Sequence, residues 1–193
     1  MKNIFVANTP FHLYQTLAII QSSYYKDSNT LITIDIIPPE IISNLRKENI
    51  FFEIYQLPVL EFKKKFFNSH NKILNIISKI SARIIIKMYF PFPKIDFHCS
   101  RLFVFNDQTT ISDWLFYNIR KQNKIKPRVI HLPDGFNAFY QEEKKENAFI
   151  MLFKKLKYII GSSFLYGKNN CLGESQIVDE FQVINPRNFP IVQ

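Results

Sequence analysis

The chain has 193 residues, 47% of them hydrophobic, and twenty Phe and nine Tyr make any core aromatic. That length suits one compact domain or a little more, and only four glycines exclude a fold rich in tight glycine turns. The net charge of +9 fits a negatively charged partner: nucleic acid, a nucleotide-sugar or an anionic membrane surface.

Nucleic acid is not expected, because the sequence holds no Arg/Lys-Gly-aromatic cluster and no recognised helix motif. Cys99 and Cys171 are far apart and share no metal-like spacing with His, so they read as inert core residues rather than a disulfide. The first residues do not read as a signal peptide, and no run reaches the about 18 apolar residues of a membrane span. The expected location is cytoplasmic, with any membrane contact peripheral.

In chain order, residues 3–7 read as a short buried strand, too apolar to alternate. Thr9 is a natural N-cap, and Pro10 suits the first position of the helix that follows. Leu13, Leu17, Ile20 and Tyr24 recur at helical spacing. A second strand is expected over 31–37, stopped by Pro38-Pro39, then a short helix near 40–46 and a third strand over 51–55. This β-α-β-α-β order is that of a parallel sheet with crossover helices.

Between 61 and 90, Ile73, Ile77, Ile80, Ile84 and Met88 form one helical stripe. Lys72, Lys79, Arg83 and Lys87 lie beside it, preceded by Lys63-Lys64-Lys65. Two readings stand: a long helix covering the sheet with a solvated basic face, or a contact with anionic lipid anchored by Phe66-Phe67.

Pro91-Phe92-Pro93 interrupts the pattern, and a fourth strand over 101–105 ends at Asn106-Asp107. A helix through Ile111, Trp114, Leu115 and Ile119 follows. Pro127 introduces a fifth strand over 128–132, which delivers Pro133-Asp134-Gly135. Beyond lie an aromatic turn (Phe136, Phe139, Tyr140), a charged patch over 142–146 and a helical segment over 149–160. The tail from 161 holds three of the four glycines and an expected strand over 180–184. Residues 1–160 therefore read as one Rossmann-like domain, and 161–193 as a crossing toward a second domain that is missing or truncated.

The chemistry is narrowed by what the sequence lacks. There is no Gly-x-Gly-x-x-Gly, no Walker pattern, no Asp-x-Asp and no His/Cys/carboxylate cluster with metal spacing. What remains is a mechanism expected to need neither metal nor cofactor, built from one carboxylate and hydrogen-bonding loops. Asp134 stands at the C-terminal tip of an apolar strand, where open α/β sheets place their active sites, on a bend that Gly135 permits.

Burial against Phe136 and Phe139 would strengthen Asp134 as a general base; an ordinary Asp-Gly turn accounts for it equally well. Asn106 and Asp107 would line the same edge and bind hydroxyls, with a helix cap by Asp107 as the equal alternative. His12 faces the cleft or packs, and His131 reads as a core histidine. The helix start at Asn8-Thr9-Pro10 could receive an anionic group, although capping alone explains Thr9.

Asn3-Ile-Phe-Val-Ala-Asn-Thr-Pro-Phe-His-Leu13 resembles the opening of bacterial sialyltransferases of glycosyltransferase family 52 and of related capsule polysialyltransferase-like proteins. Val129-Ile-His-Leu-Pro-Asp-Gly-Phe-Asn-Ala-Phe-Tyr140 is similar to their acidic-acidic-Gly segment with its following aromatic residue. The resemblance covers about the first three quarters of the chain. It implies the N-terminal half of a GT-B architecture, in which two Rossmann-like domains face each other across a cleft. It also implies metal-independent, inverting transfer of sialic acid from CMP-sialic acid to a glycan hydroxyl, in lipooligosaccharide or capsule synthesis.

Carried over, Asp134 is the base, Gly135 its turn, and Asn8, Thr9 and Pro10 line the cleft floor. This sequence departs from the pattern in two places. The first acidic position is Pro133, and the family's His-Pro dipeptide is absent. A chain of this length is thus expected to be an incomplete enzyme that alone binds CMP-sialic acid weakly and turns over little or not at all. The alternatives are a GT-B transferase with another nucleotide-sugar donor and a truncated, non-catalytic glycan- or membrane-binding domain.

Overall fold

Asn3, Ile4, Phe5, Val6 and Ala7 are all buried, which is why the first strand shows no alternation. A parallel strand covered on both faces needs apolar side chains in both directions. The computed structural model describes residues 1–67, 90–91, 93–106, 110–133 and 178–181. The strands among them are β1 (Lys2–Ala7), β2 (Ser28–Ile34), β3 (Glu53–Leu57), β4 (Arg101–Val104), β5 (Arg128–His131) and β6 (Glu180–Phe181). The helices are α1 (Pro10–Ile19), α2 (Pro39–Lys47), α3 (Val59–Phe67) and α4 (Thr110–Gln122).

All five strand pairings are parallel, and the order across the sheet is β3-β2-β1-β4-β5-β6. That is the doubly wound order of a Rossmann-like α/β fold. One face of the sheet packs Phe5, Leu31, Phe103 and Ile130 with Leu13 and Ile19 of α1 and Ile42 and Leu45 of α2. The other packs Ile4, Val6, Ile32, Val104 and Val129 with Phe62 of α3 and Leu115 and Ile119 of α4. At the centre, the Phe5 and Phe103 rings stack at 4.3 Å and 7°.

Two strand expectations are corrected. The second strand runs Ser28–Ile34 rather than 31–37, because Ser28 pairs with Lys2 and Asp35 turns out of the ladder. Ile37, apolar enough to suggest strand, is instead buried in the turn. The third strand is Glu53–Leu57 rather than 51–55; Phe51 is buried ahead of it while Phe52 is 74% exposed. The expected helix near 40–46 extends over Pro39–Lys47 and ends at Asn49, whose φ of 53° is a left-handed cap position that Asn tolerates.

Of the expected strand over 180–184, Glu180–Phe181 pairs with β5, so this part of the tail belongs to the same sheet. The stripe from Lys72 to Met88, the segment over 149–160 and Cys171 lie outside the described residues. Among the described residues, no helix is long and apolar enough to cross a membrane.

The N-terminal edge of the sheet is closed by a polar network. Asn3 Nδ2 donates to Asp27 Oδ2 at 3.1 Å and to Asn29 Oδ1 at 3.0 Å, and the N-terminal ammonium reaches Asp27 Oδ1 at 3.0 Å. Arg101 meets Asp27 at 3.4 Å while its guanidinium lies 5.0 Å from the centre of the Tyr24 ring. These hydrogen bonds satisfy Asn3 Nδ2 and Asn29 Oδ1, which offsets the cost of burying the two amides in an apolar sheet.

Candidate functional site

At the opposite edge, the strand register brings three sequence-distant turns together. Val6 pairs with Val104, and Val104 with His131. Two residues further along the three strands stand Asn8, Asn106 and Pro133. Neighbouring strands are ~4.8 Å apart, so these positions span roughly 10 Å of rim, the width of a sugar ring with its substituents. The β1–β4 boundary is also where the chain reverses direction across the sheet. The helix after β1 covers one face and the helix after β4 the other, the position at which doubly wound sheets form their binding crevice.

Thr9 caps α1 as its sequence suggests: extended at φ −136° and ψ 161°, it accepts the His12 N–H on Oγ1 at 3.2 Å. Pro10 occupies the first turn and is exposed. His12 is only 3% exposed, so it packs rather than opening into the crevice. Its ring lies flat on Phe105, with centroids 4.2 Å apart and planes 1° from parallel. Its Nδ1 accepts the backbone N–H of Asn8 at 3.3 Å, an arrangement that assigns the ring proton to Nε2. His12 thereby ties the β1 turn to the β4 turn.

Asn8 is half-buried, and its Oδ1, shielded from solvent, accepts no hydrogen bond among the described residues. Asn106 is also half-buried, and its carbonyl accepts from Ser112 Oγ of α4 at 2.5 Å. Leu132 N–H donates to Val104 O at 2.7 Å, carrying the β4–β5 ladder to the edge, where Pro133 is buried. His131 is fully buried in the sheet. Asp107, Asp134 and Gly135 lie outside the described residues.

The structure also shows two features that the sequence did not single out. Asp35, at the tip of β2, accepts Leu60 N–H (2.7 and 2.9 Å) and Glu61 N–H (3.0 Å), capping α3 from 25 residues away. No local pattern announces such a cap, since its partner helix begins with Pro58-Val59. Gln15 of α1 is 6% exposed, and its Oε1 accepts no hydrogen bond among the described residues. Its place one turn after His12 in the helical repeat was the available signal.

A groove of ≈ 570 Å³ lined by His98, Cys99, Gln122, Asn123 and Lys124 opens at the other end of β4 and β5, away from the rim. Burial pushes the Cys99 thiol up to about 12, so it stays protonated and is no nucleophile at neutral pH. Among the described residues, no three His, Cys, Asp or Glu side chains converge as a metal site would require. In comparisons with models of known protein families and with curated proteins, the chain matches none.

Proposed function

We infer that the chain is a sialyltransferase-like glycosyltransferase: the acceptor-side, N-terminal half of a GT-B enzyme. It would transfer sialic acid from CMP-sialic acid to a glycan hydroxyl with inversion, without metal, at the cytoplasmic face of the membrane. The observation that supports this reading is the register of Val6, Val104 and His131, past which the β1, β4 and β5 turns begin beside one another with Asn8, Asn106 and Pro133. In the sequence, Asp134 is the residue after the buried Pro133. The likeness of the Asn8-Thr9-Pro10 and Pro133-Asp134-Gly135 segments to glycosyltransferase family 52 supports the same reading.

In this mechanism the Asp134 carboxylate takes the proton of the acceptor hydroxyl. The freed oxygen attacks the anomeric carbon of sialic acid from the face opposite the phosphate. The bond from that carbon to the phosphate oxygen breaks, and CMP leaves with the electron pair. Asn8, Thr9, Asn106 and Asp107 hold hydroxyls, Gly135 shapes the turn, and His12 fixes the position of the Asn8 backbone.

The test is single-turnover transfer by the complete enzyme carrying this half, with protein and substrates at comparable concentration and the acceptor mass as readout. CMP-sialic acid should add one sialic acid, UDP- and GDP-sugars nothing, and Asp134→Ala should abolish the product while leaving thermal unfolding unchanged. Transfer by Asp134→Ala at the wild-type level refutes the role of that carboxylate. Product from a UDP- or GDP-sugar alone moves the reading to another donor, and no product from any donor moves it to a non-catalytic glycan- or membrane-binding domain.

A further inference from the structure

Phe11 and Tyr14 are 51% and 59% exposed, although a Phe and a Tyr on an amphipathic helix are more at home underneath it. Three residues apart on α1, they share one side of the helix. That side belongs to the first turn, the one whose His12 lies against Phe105 and whose Thr9 caps the helix at the crevice. Exposed Pro10 continues the surface toward Asn8. An aromatic plate therefore stands on the exposed side of the helix whose start is at the polar rim.

Every residue from Asn8 to Tyr14 lacks a carboxylate, ammonium or guanidinium group. A phosphate-bearing ligand would meet no cationic side chain in this segment. A neutral pyranose fits better: its C–H face lies on an aromatic ring while its hydroxyls reach amide groups at the edge. The rim supplies amide side chains in Asn106 and Asn8, both half-buried. Apolar plates with a few placed polar groups are the usual composition of small-ligand sites.

We propose that Phe11 and Tyr14 are the platform on which a neutral sugar ring of the acceptor glycan stacks, beside Asn8 and Asn106. This rests on the transferase reading for the word acceptor, but not for the platform itself.

Saturation-transfer NMR with lactose and maltose as probes, and CMP as a second ligand, tests it. Saturation should reach the C–H protons of at least one disaccharide. The double variant Phe11→Ala/Tyr14→Ala should bind that sugar roughly tenfold more weakly with CMP binding unchanged. Tyr14→Phe, which keeps the ring, should retain binding. So should Phe52→Ala, which removes an exposed ring ahead of β3 at the opposite edge. Thermal unfolding of each variant confirms its fold.

Wild-type protein that binds neither sugar overturns the proposal, as does a double variant that binds as wild type does or one that loses CMP instead. Sugar binding lost in the double variant, without sialyl transfer to any acceptor, upholds the platform and defeats the transferase reading. Transfer that persists undiminished in the double variant does the reverse.

Discussion

The imidazole of His12 lies parallel to the ring of Phe105 at 4.2 Å while its Nδ1 holds the backbone N–H of Asn8. One side chain thus fixes both turns that flank the switch point, the β1 turn by a hydrogen bond and the β4 turn by stacking. Neither contact is visible to solvent, since His12 is 3% exposed.

The two contacts separate by substitution. His12→Phe keeps the stack and leaves the Asn8 N–H without its acceptor, which should cost about 1–2 kcal/mol in urea unfolding. His12→Ala loses both contacts and should cost more, about 3 kcal/mol. A His12→Phe protein as stable as wild type would show that the Asn8 bond contributes nothing.

Asp35 secures a different corner of the fold. Its carboxylate accepts the Leu60 and Glu61 N–H groups at the start of α3. Asp35→Ala should lower stability by about 1 kcal/mol, the usual loss for a helix cap, with a fall in Tm of several degrees. Since Asp35 sits at the tip of β2 and not at the β1–β4 crevice, ligand binding at the rim should be unaffected.

The N-terminal edge of the sheet dictates an acid response. Hydrogen bonds from the N-terminal ammonium and Asn3 hold Asp27 below its ordinary 3.8. Lys2, and then the His98 ring and N–H, hold Asp96 well below the same value. A carboxyl group whose pKa is lower folded than unfolded binds fewer protons in the native state. Its stabilising contribution is complete above about pH 4 and is lost as the pH falls through the folded values.

Urea unfolding from pH 7 down to pH 2 should therefore show these contributions constant at first and then shrinking below pH 4. Asp27→Asn should flatten the decline more than Asp96→Asn, because Asp96 is the more exposed of the two, at 55% against 22% for Asp27. An unchanged pH profile in Asp27→Asn would contradict this.

How much of this was legible in the sequence depends on the distance over which each feature is encoded. The β1 strand, the Thr9 cap and the start of α1 are local: an apolar run, a hydroxyl and a proline in consecutive positions. The β-α-β order likewise follows from successive periodicities. Strand limits were misjudged where an apolar residue serves a turn, as Ile37 does, or where a polar one joins a ladder, as Ser28 does. The Asp35 cap and the Asn8–Asn106–Pro133 register join residues from separate crossovers, and only the assembled sheet reveals them. The place of His131 within an apolar strand agrees with its burial, whereas the two readings left open for His12 are decided by its ring lying on Phe105.

The account depends most on the rim being a single binding edge. Titrating isotope-labelled protein with lactose and maltose as acceptor probes and following the amide signals measures this directly. The account predicts that the backbone and side-chain amides of Asn8 and Asn106 and the backbone amide of Asp134 shift together, while those of Asn3 and Asn29 at the far edge stay still. Shifts confined to the far edge or to the groove around Asn123, with the rim silent, would contradict it.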